Sequence, residues 1–113
     1  KRIINSGNKI YLVKNSLIKH IGGHSHEEKF SFEIELSRNW HWMWSTFYYY
    51  KKNYNYFHAF RKVYKNLFSS IIKLIFYSII LNSKKRKIYF QRLSGIVNAI
   101  IGKKSWYRPI FKK

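Results

Sequence analysis

Within residues 38–52, Trp40, Trp42 and Trp44 fall inside five positions, and Phe47, Tyr48, Tyr49 and Tyr50 follow before Lys51 and Lys52 close the run. Indole rings are large, and each carries an N–H that needs a partner. A chain of 113 residues has a modest core, so such a run is not expected to be hidden wholly inside it. On one helix Trp40, Met43, Trp44, Phe47 and Lys51 share a face at spacings of three and four, while Trp42 and Tyr49 point elsewhere. A single aromatic stripe is usually ordinary helix core. Here both faces are aromatic, and at least one of them is expected to meet a missing domain, a lipid surface or a bound ligand.

The ionic side chains narrow the partners. Against 23 Lys and Arg stand 4 acids, a formal +19, which implies a polyanion: nucleic acid or the anionic face of a membrane. Aspartate is absent, and Glu27, Glu28, Glu33 and Glu35 are the only carboxylates. A two-carboxylate acid/base pair, an aspartate-rich Mg²⁺ site or a Ser-His-Asp triad has almost nothing to be built from. With no cysteine, disulfides, thiol catalysis and cysteine-type zinc sites are excluded as well. No secretory signal opens the chain, since only two apolar residues follow Lys1 and Arg2 before Asn5. Without an initiator methionine the sequence reads as starting inside a longer protein.

The fold expected is mainly α: a short β-hairpin left from an α/β unit, then three amphipathic helices. Residues 1–25 form the first segment, with strands over 9–13 and 17–21 separated by Asn15 and Ser16 and ended by Gly22 and Gly23. Two strands alone make no stable sheet. In the second segment, 26–52, Ser25 to Glu28 fits a capping box, although Phe30, Phe32, Ile34 and Leu36 alternate like a half-buried strand. Helix is preferred because Leu36, Trp40, Met43, Trp44 and Phe47 continue one helical stripe.

Residues 53–113 form the third segment. Asn53, Tyr54 and Asn55 break the first helix, and a second runs to about Leu81 on a stripe of Phe60, Val63, Tyr64, Leu67, Ile71, Leu74, Ile75 and Ile79. Its apolar part, 71–81, falls short of the roughly 20 residues that a membrane span needs, and suits an interfacial or re-entrant helix. Lys84, Lys85, Arg86 and Lys87 begin the third helix, for which Gly102 is placed as the C′ residue and Pro109 prevents continuation. Four bases at a helix start oppose its dipole, so local stability does not account for them; each contributes roughly 1 kcal/mol beside acidic headgroups. A merely solvated charge run is the plain alternative. The apolar stretch just before the quartet, and Trp106 and Arg108 after it, favour a membrane; Lys73, Lys84, Lys85, Arg86, Lys87, Trp106 and Arg108 are the expected contacts.

One ordered set of residues carries a resemblance. Lys1 and Arg2, Gly7, Lys9-Ile10-Tyr11, His20-Ile21-Gly22-Gly23-His24-Ser25, Ser37-Arg38-Asn39-Trp40, and Lys51-Lys52 together resemble the C-terminal part of family 2 glycosyltransferases. The members most similar are rhamnosyltransferase-like enzymes that build bacterial cell-surface polysaccharide. The resemblance implies a GT-A catalytic domain ending within residues 1–25, a nucleotide-sugar donor, a divalent metal (Mg or Mn) in the parent enzyme and often a lipid-linked acceptor. The acidic base and the Asp-x-Asp metal motif of such enzymes lie upstream of Lys1, so the isolated chain is expected to bind no cofactor and to transfer nothing. By the same likeness His20 matches a metal-site histidine, Gly22 and Gly23 let backbone approach the donor diphosphate, and Arg38, Asn39, Trp40, His41 and Trp44 lie on the acceptor side. A strand-end histidine bonded to its own backbone is the plain alternative for His20. Packing of the tryptophans on the catalytic domain is as good a reading as acceptor contact. The implied location is peripheral, on the cytoplasmic face of the bacterial inner membrane.

Two further classes compete. Tyr48, Tyr49 and Tyr50 beside Lys51 and Lys52 have the aromatic and basic mix that holds single-stranded nucleic acid. Nucleic acid is the less favoured partner, because the aliphatic stretch 71–81 has no task there. A free-standing membrane-active amphipathic anchor is the third class.

Overall fold

The computed structural model describes residues 30–110 and, before them, Ser6, Gly7, Lys9, Tyr11, Val13 and Asn15. Three helices follow in chain order: α1 (Ser31–Asn53), α2 (Tyr56–Ile79) and α3 (Ser83–Ile100). The mainly helical expectation is met. The short β-hairpin is not seen among the described residues: Lys9, Tyr11 and Val13 lie in no strand, and 17–21 fall outside them. The capping box at Ser25 to Glu28 also lies outside the described residues.

Helix wins over strand at 30–36 because the buried row Leu36, Trp40, Met43 and Phe47 steps by four, three and four, which only a helix lays on one face. Lys51 and Lys52 sit in the last turn, where cations complement the carbonyl end of the dipole. Asn55 then caps α2, its side chain accepting the His58 N–H at 2.7 Å. Asn82 caps α3 in the same way, accepting the Lys85 N–H at 3.1 Å.

Both later helices end in the paired backbone bonds of a Schellman turn. At α3 the Gly102 N–H bonds to the Ala99 carbonyl and the Lys103 N–H to that of Asn98, with Gly102 at φ +78° as its sequence position predicts. At α2 the Leu81 N–H reaches the Ser78 carbonyl and the Asn82 N–H that of Tyr77. There the left-handed position is held by Leu81, at φ +58°, where glycine would be free of strain.

Met43 and Phe47 of α1, Ala59 and Val63 of α2, and Ile96 and Ala99 of α3 share one core. The core thus draws on residues either side of the division expected at residue 52, with α2 contributing Ala59 and Val63. Gly95 and Ala99, four apart on α3, present no bulk, and α1 and α3 approach closely there. The aromatic run is not hidden wholly in that core, as expected: Trp42, Tyr48 and Tyr49 are exposed. Trp40, Met43 and Phe47 are almost completely buried, because small residues on α3 leave room for the rings.

Candidate functional site

The aromatic run on α1 grips the chain's own C-terminal segment. Trp40 donates its indole N–H to Ser94 Oγ at 3.2 Å, and Trp44 donates to the Lys103 carbonyl at 3.0 Å. Between them His41 reaches the tail with both ring nitrogens: Nε2 lies 2.9 Å from the Tyr107 carbonyl and Nδ1 3.2 Å from Ser105 Oγ. A carbonyl only accepts, so Nε2 carries a hydrogen. The Tyr107 ring stacks on Trp40 with centroids 5.9 Å apart, and Trp106 meets Trp40 edge-on at 5.8 Å while donating to Asn98 Oδ1. Burial pushes the Tyr107 phenol pKa upward, with the Glu33 carboxylate adding to the effect. Residues 103–107 thus lie as a strap along α1 and α3.

The five residues expected on the acceptor side are split. Trp40 has no exposed surface, so neither ring face is open to a sugar; His41 and Trp44 are engaged by the strap. Arg38 and Asn39 lie apart from them, with Glu35 and Trp42, around a shallow open cleft. Asn39 Oδ1 there accepts from Arg92 Nε at 2.7 Å. Trp42 is the exposed tryptophan of the run, 55% accessible, and the Arg92 guanidinium lies 5.3 Å from its centroid. His20, Gly22 and Gly23 lie outside the described residues.

The residues expected at a membrane fall into two groups. Lys84, Lys85, Arg86 and Lys87 stand exposed at the start of α3, whose first turn contains no acid. Lys85 lies over the Tyr77 ring at 5.1 Å and Lys73 over Tyr89 at 5.2 Å, while Tyr77 and Tyr89 stack on each other. The Arg92 guanidinium also lies over the Tyr89 ring, at 5.3 Å. Cations and rings thereby form a continuous series from Lys85 to Trp42, tying α2 to α3 and α3 to α1. Trp106 and Arg108 are exposed on the strap, which turns back along α3 so that Tyr107, between them, lines a cleft with Arg86 and Lys87 of the quartet.

The apolar stripe of α2 divides. Val63 is buried and Leu67 and Leu74 half-buried, whereas Phe57, Phe60, Phe68, Ile71, Ile75 and Ile79 form an exposed row at spacings close to helical repeats. Arg61 and Lys65 flank this row, and it runs into Ile80 and Leu81, immediately before the basic quartet. Leu81 is 79% accessible. A contiguous apolar row with a basic rim is the mark of an interaction surface.

Sequence reasoning did not find Ser94, Gly95, Asn98 or Arg92. A signal existed for the glycine: Gly95 and Ala99 are small residues four apart between apolar positions. Among the described residues no group of three potential metal ligands occurs, and no helix is long and apolar enough to cross a membrane. No family model matches the chain, and no curated protein or solved structure matches it.

Proposed function

We propose that the three helices seat a glycosyltransferase of the family 2 type on the cytoplasmic face of an anionic membrane, as its C-terminal, acceptor-side part. The parent enzyme would move a sugar from a nucleotide donor to a lipid-linked or cell-surface polysaccharide precursor. Its GT-A remnant, divalent metal and donor contacts fall to residues 1–25 and to sequence before them. The resemblance of the ordered residue set supports the transferase half of this reading.

The observation that carries the docking half is the exposed α2 row ending in Leu81 beside Lys84, Lys85, Arg86 and Lys87. Leucine in a left-handed position costs about 1–2 kcal/mol, and at 79% exposure the side chain recovers little of it from the core. Placed against a bilayer, it gains burial. Four bases add about 4 kcal/mol at an acidic surface, and each isoleucine or phenylalanine withdrawn from water about 1.5–3 kcal/mol. Neither signal holds a protein firmly alone; the pair does.

Flotation with phosphatidylglycerol vesicles tests this directly. The chain is expected to float with them, to stay behind with phosphatidylcholine vesicles, and to lose binding when the quartet is replaced by glutamine or when Phe68 and Ile75 are replaced by serine. Absence of flotation on anionic vesicles rejects the docking half. A steep salt-dependent affinity for oligonucleotides instead would favour the nucleic-acid class. For the transferase half, the polypeptide extended through its upstream coding sequence should transfer sugar from a nucleotide donor, and residues 1–113 alone should not. Transfer by the short chain overturns the assignment.

A further inference from the structure

At the far end of α3 from the quartet lies a cleft of about 480 Å³ lined by Trp44, Tyr48, Lys51, Lys52, Lys103 and Lys104, among others. Its wall is a fixed aromatic surface. Trp44 and Tyr48 stack with centroids 4.9 Å apart, and the Trp44 N–H is held by the Lys103 carbonyl at 3.0 Å. The four lysines arrive from two directions: Lys51 and Lys52 from the last turn of α1, and Lys103 and Lys104 from the chain turned by Gly102.

The charge there is unbalanced. Two helix C-termini supply about −0.5 each, against four ammonium groups. No carboxylate follows Glu35 in the chain, and Glu35 is sixteen residues before Lys51 on the same helix, about 24 Å away. That distance exceeds a Debye length of about 8 Å, so Glu33 and Glu35, the acids among the described residues, do not neutralise the cleft. Among the described residues Lys51 and Lys52 meet ring faces, at 5.8 Å over Tyr56 and Tyr48. A site with a surplus of cations on one side and a broad ring surface on the other fits an anion joined to something apolar.

We infer that this cleft binds the phosphate of a phosphorylated amphiphile, with the phosphate among Lys51, Lys52, Lys103 and Lys104 and the apolar part laid on Trp44 and Tyr48. The site does not depend on the docking surface, since the quartet and the α2 row lie elsewhere. Loss of vesicle flotation with retention of this binding would reject only the docking half above.

The test follows the Trp44 indole N–H in a ¹H–¹⁵N spectrum, assigned by its disappearance in Trp44→Phe. Dodecyl phosphate below its micelle concentration should move that resonance saturably. The double variant Lys103→Gln/Lys104→Gln should weaken the affinity at least about tenfold, and Lys51→Gln/Lys52→Gln likewise. Lys84→Gln/Lys85→Gln should leave it within about twofold, and the remaining indole signals report that each variant is folded. The inference is overturned by a response that does not saturate, or by equal losses in the Lys84/Lys85 variant. Dodecyl maltoside binding as well as dodecyl phosphate would overturn the phosphate half. Inorganic phosphate binding as tightly would overturn the amphiphile half, because the rings would then contribute nothing.

Discussion

Gly95 of α3 lies against the backbone of Trp40 of α1: a Cβ at Gly95 would run into the Trp40 carbonyl oxygen, and would stand 3.2 Å from the carbonyl carbon and 3.3 Å from Met43 Cβ. None of these atoms is the free end of a flexible side chain, so relief requires the helices to part. Gly95→Ala is therefore expected to destabilise the bundle by about 1–3 kcal/mol, despite alanine's better helix propensity. For a domain of this size the melting temperature should fall by roughly 4–8 °C per kcal/mol, read by circular dichroism. An unchanged melting temperature would disprove the close approach.

The buried indole makes a second test. Trp40 is fully buried and its N–H ends on Ser94 Oγ, so Ser94→Ala leaves a donor in the core without that acceptor. The cost is expected at about 1–3 kcal/mol in urea unfolding. Trp42, two residues away, has an exposed ring resting on Arg92, and Trp42→Ala should cost no more than about 1 kcal/mol. The reverse order of these two variants would mean that the core and surface rings are misassigned.

What could be read along the chain and what could not separate by range. Helix periodicity is local, so α1 from Leu36 to Phe47, the break at 53–55 and the turn at Gly102 were all legible. The role of the tryptophans was not, because it depends on partners more than fifty residues away: Ser94 for Trp40, Lys103 for Trp44, and Tyr107 for His41. A run of aromatics shows that something must be covered without showing by what. The α2 stripe failed in a related way. Its period is right, but Val63 and Phe60 differ only by which side of one helix α1 and α3 occupy. The basic quartet was read as exposed and is exposed, since a dense charge run at a helix start has no place in a core.

Leu81 separates stability from docking. Leu81→Gly removes the left-handed strain and, after the larger chain entropy of glycine, should raise stability by about 0.5–1 kcal/mol. The same change should weaken flotation on phosphatidylglycerol vesicles. Leu81→Ala keeps the strain while losing the side chain, and should weaken flotation without the gain in stability. If Leu81→Gly binds vesicles as well as the parent, the leucine has no part in docking.

The strap offers a pH-dependent readout through Tyr107. Burial raises its phenol pKa above the ordinary 10.0, with Glu33 raising it further, so the folded chain holds this proton more tightly than the unfolded chain. The sign follows from proton linkage: below about pH 10 both states are protonated and the contribution is fully present, and as pH rises through the folded pKa it is lost. Lysines titrate in the same range, so the informative quantity is the difference between the parent and Tyr107→Phe. That difference should be constant up to about pH 9 and then shift against the parent, by no more than about 1.4 kcal/mol per pH unit for a single proton. Glu33→Gln should reduce the shift by removing the second cause. Parallel stability curves for parent and Tyr107→Phe between pH 8 and pH 11, on the order of the ordinary phenol range, would show that the tyrosine is solvated and that the strap does not pack on Trp40 in solution.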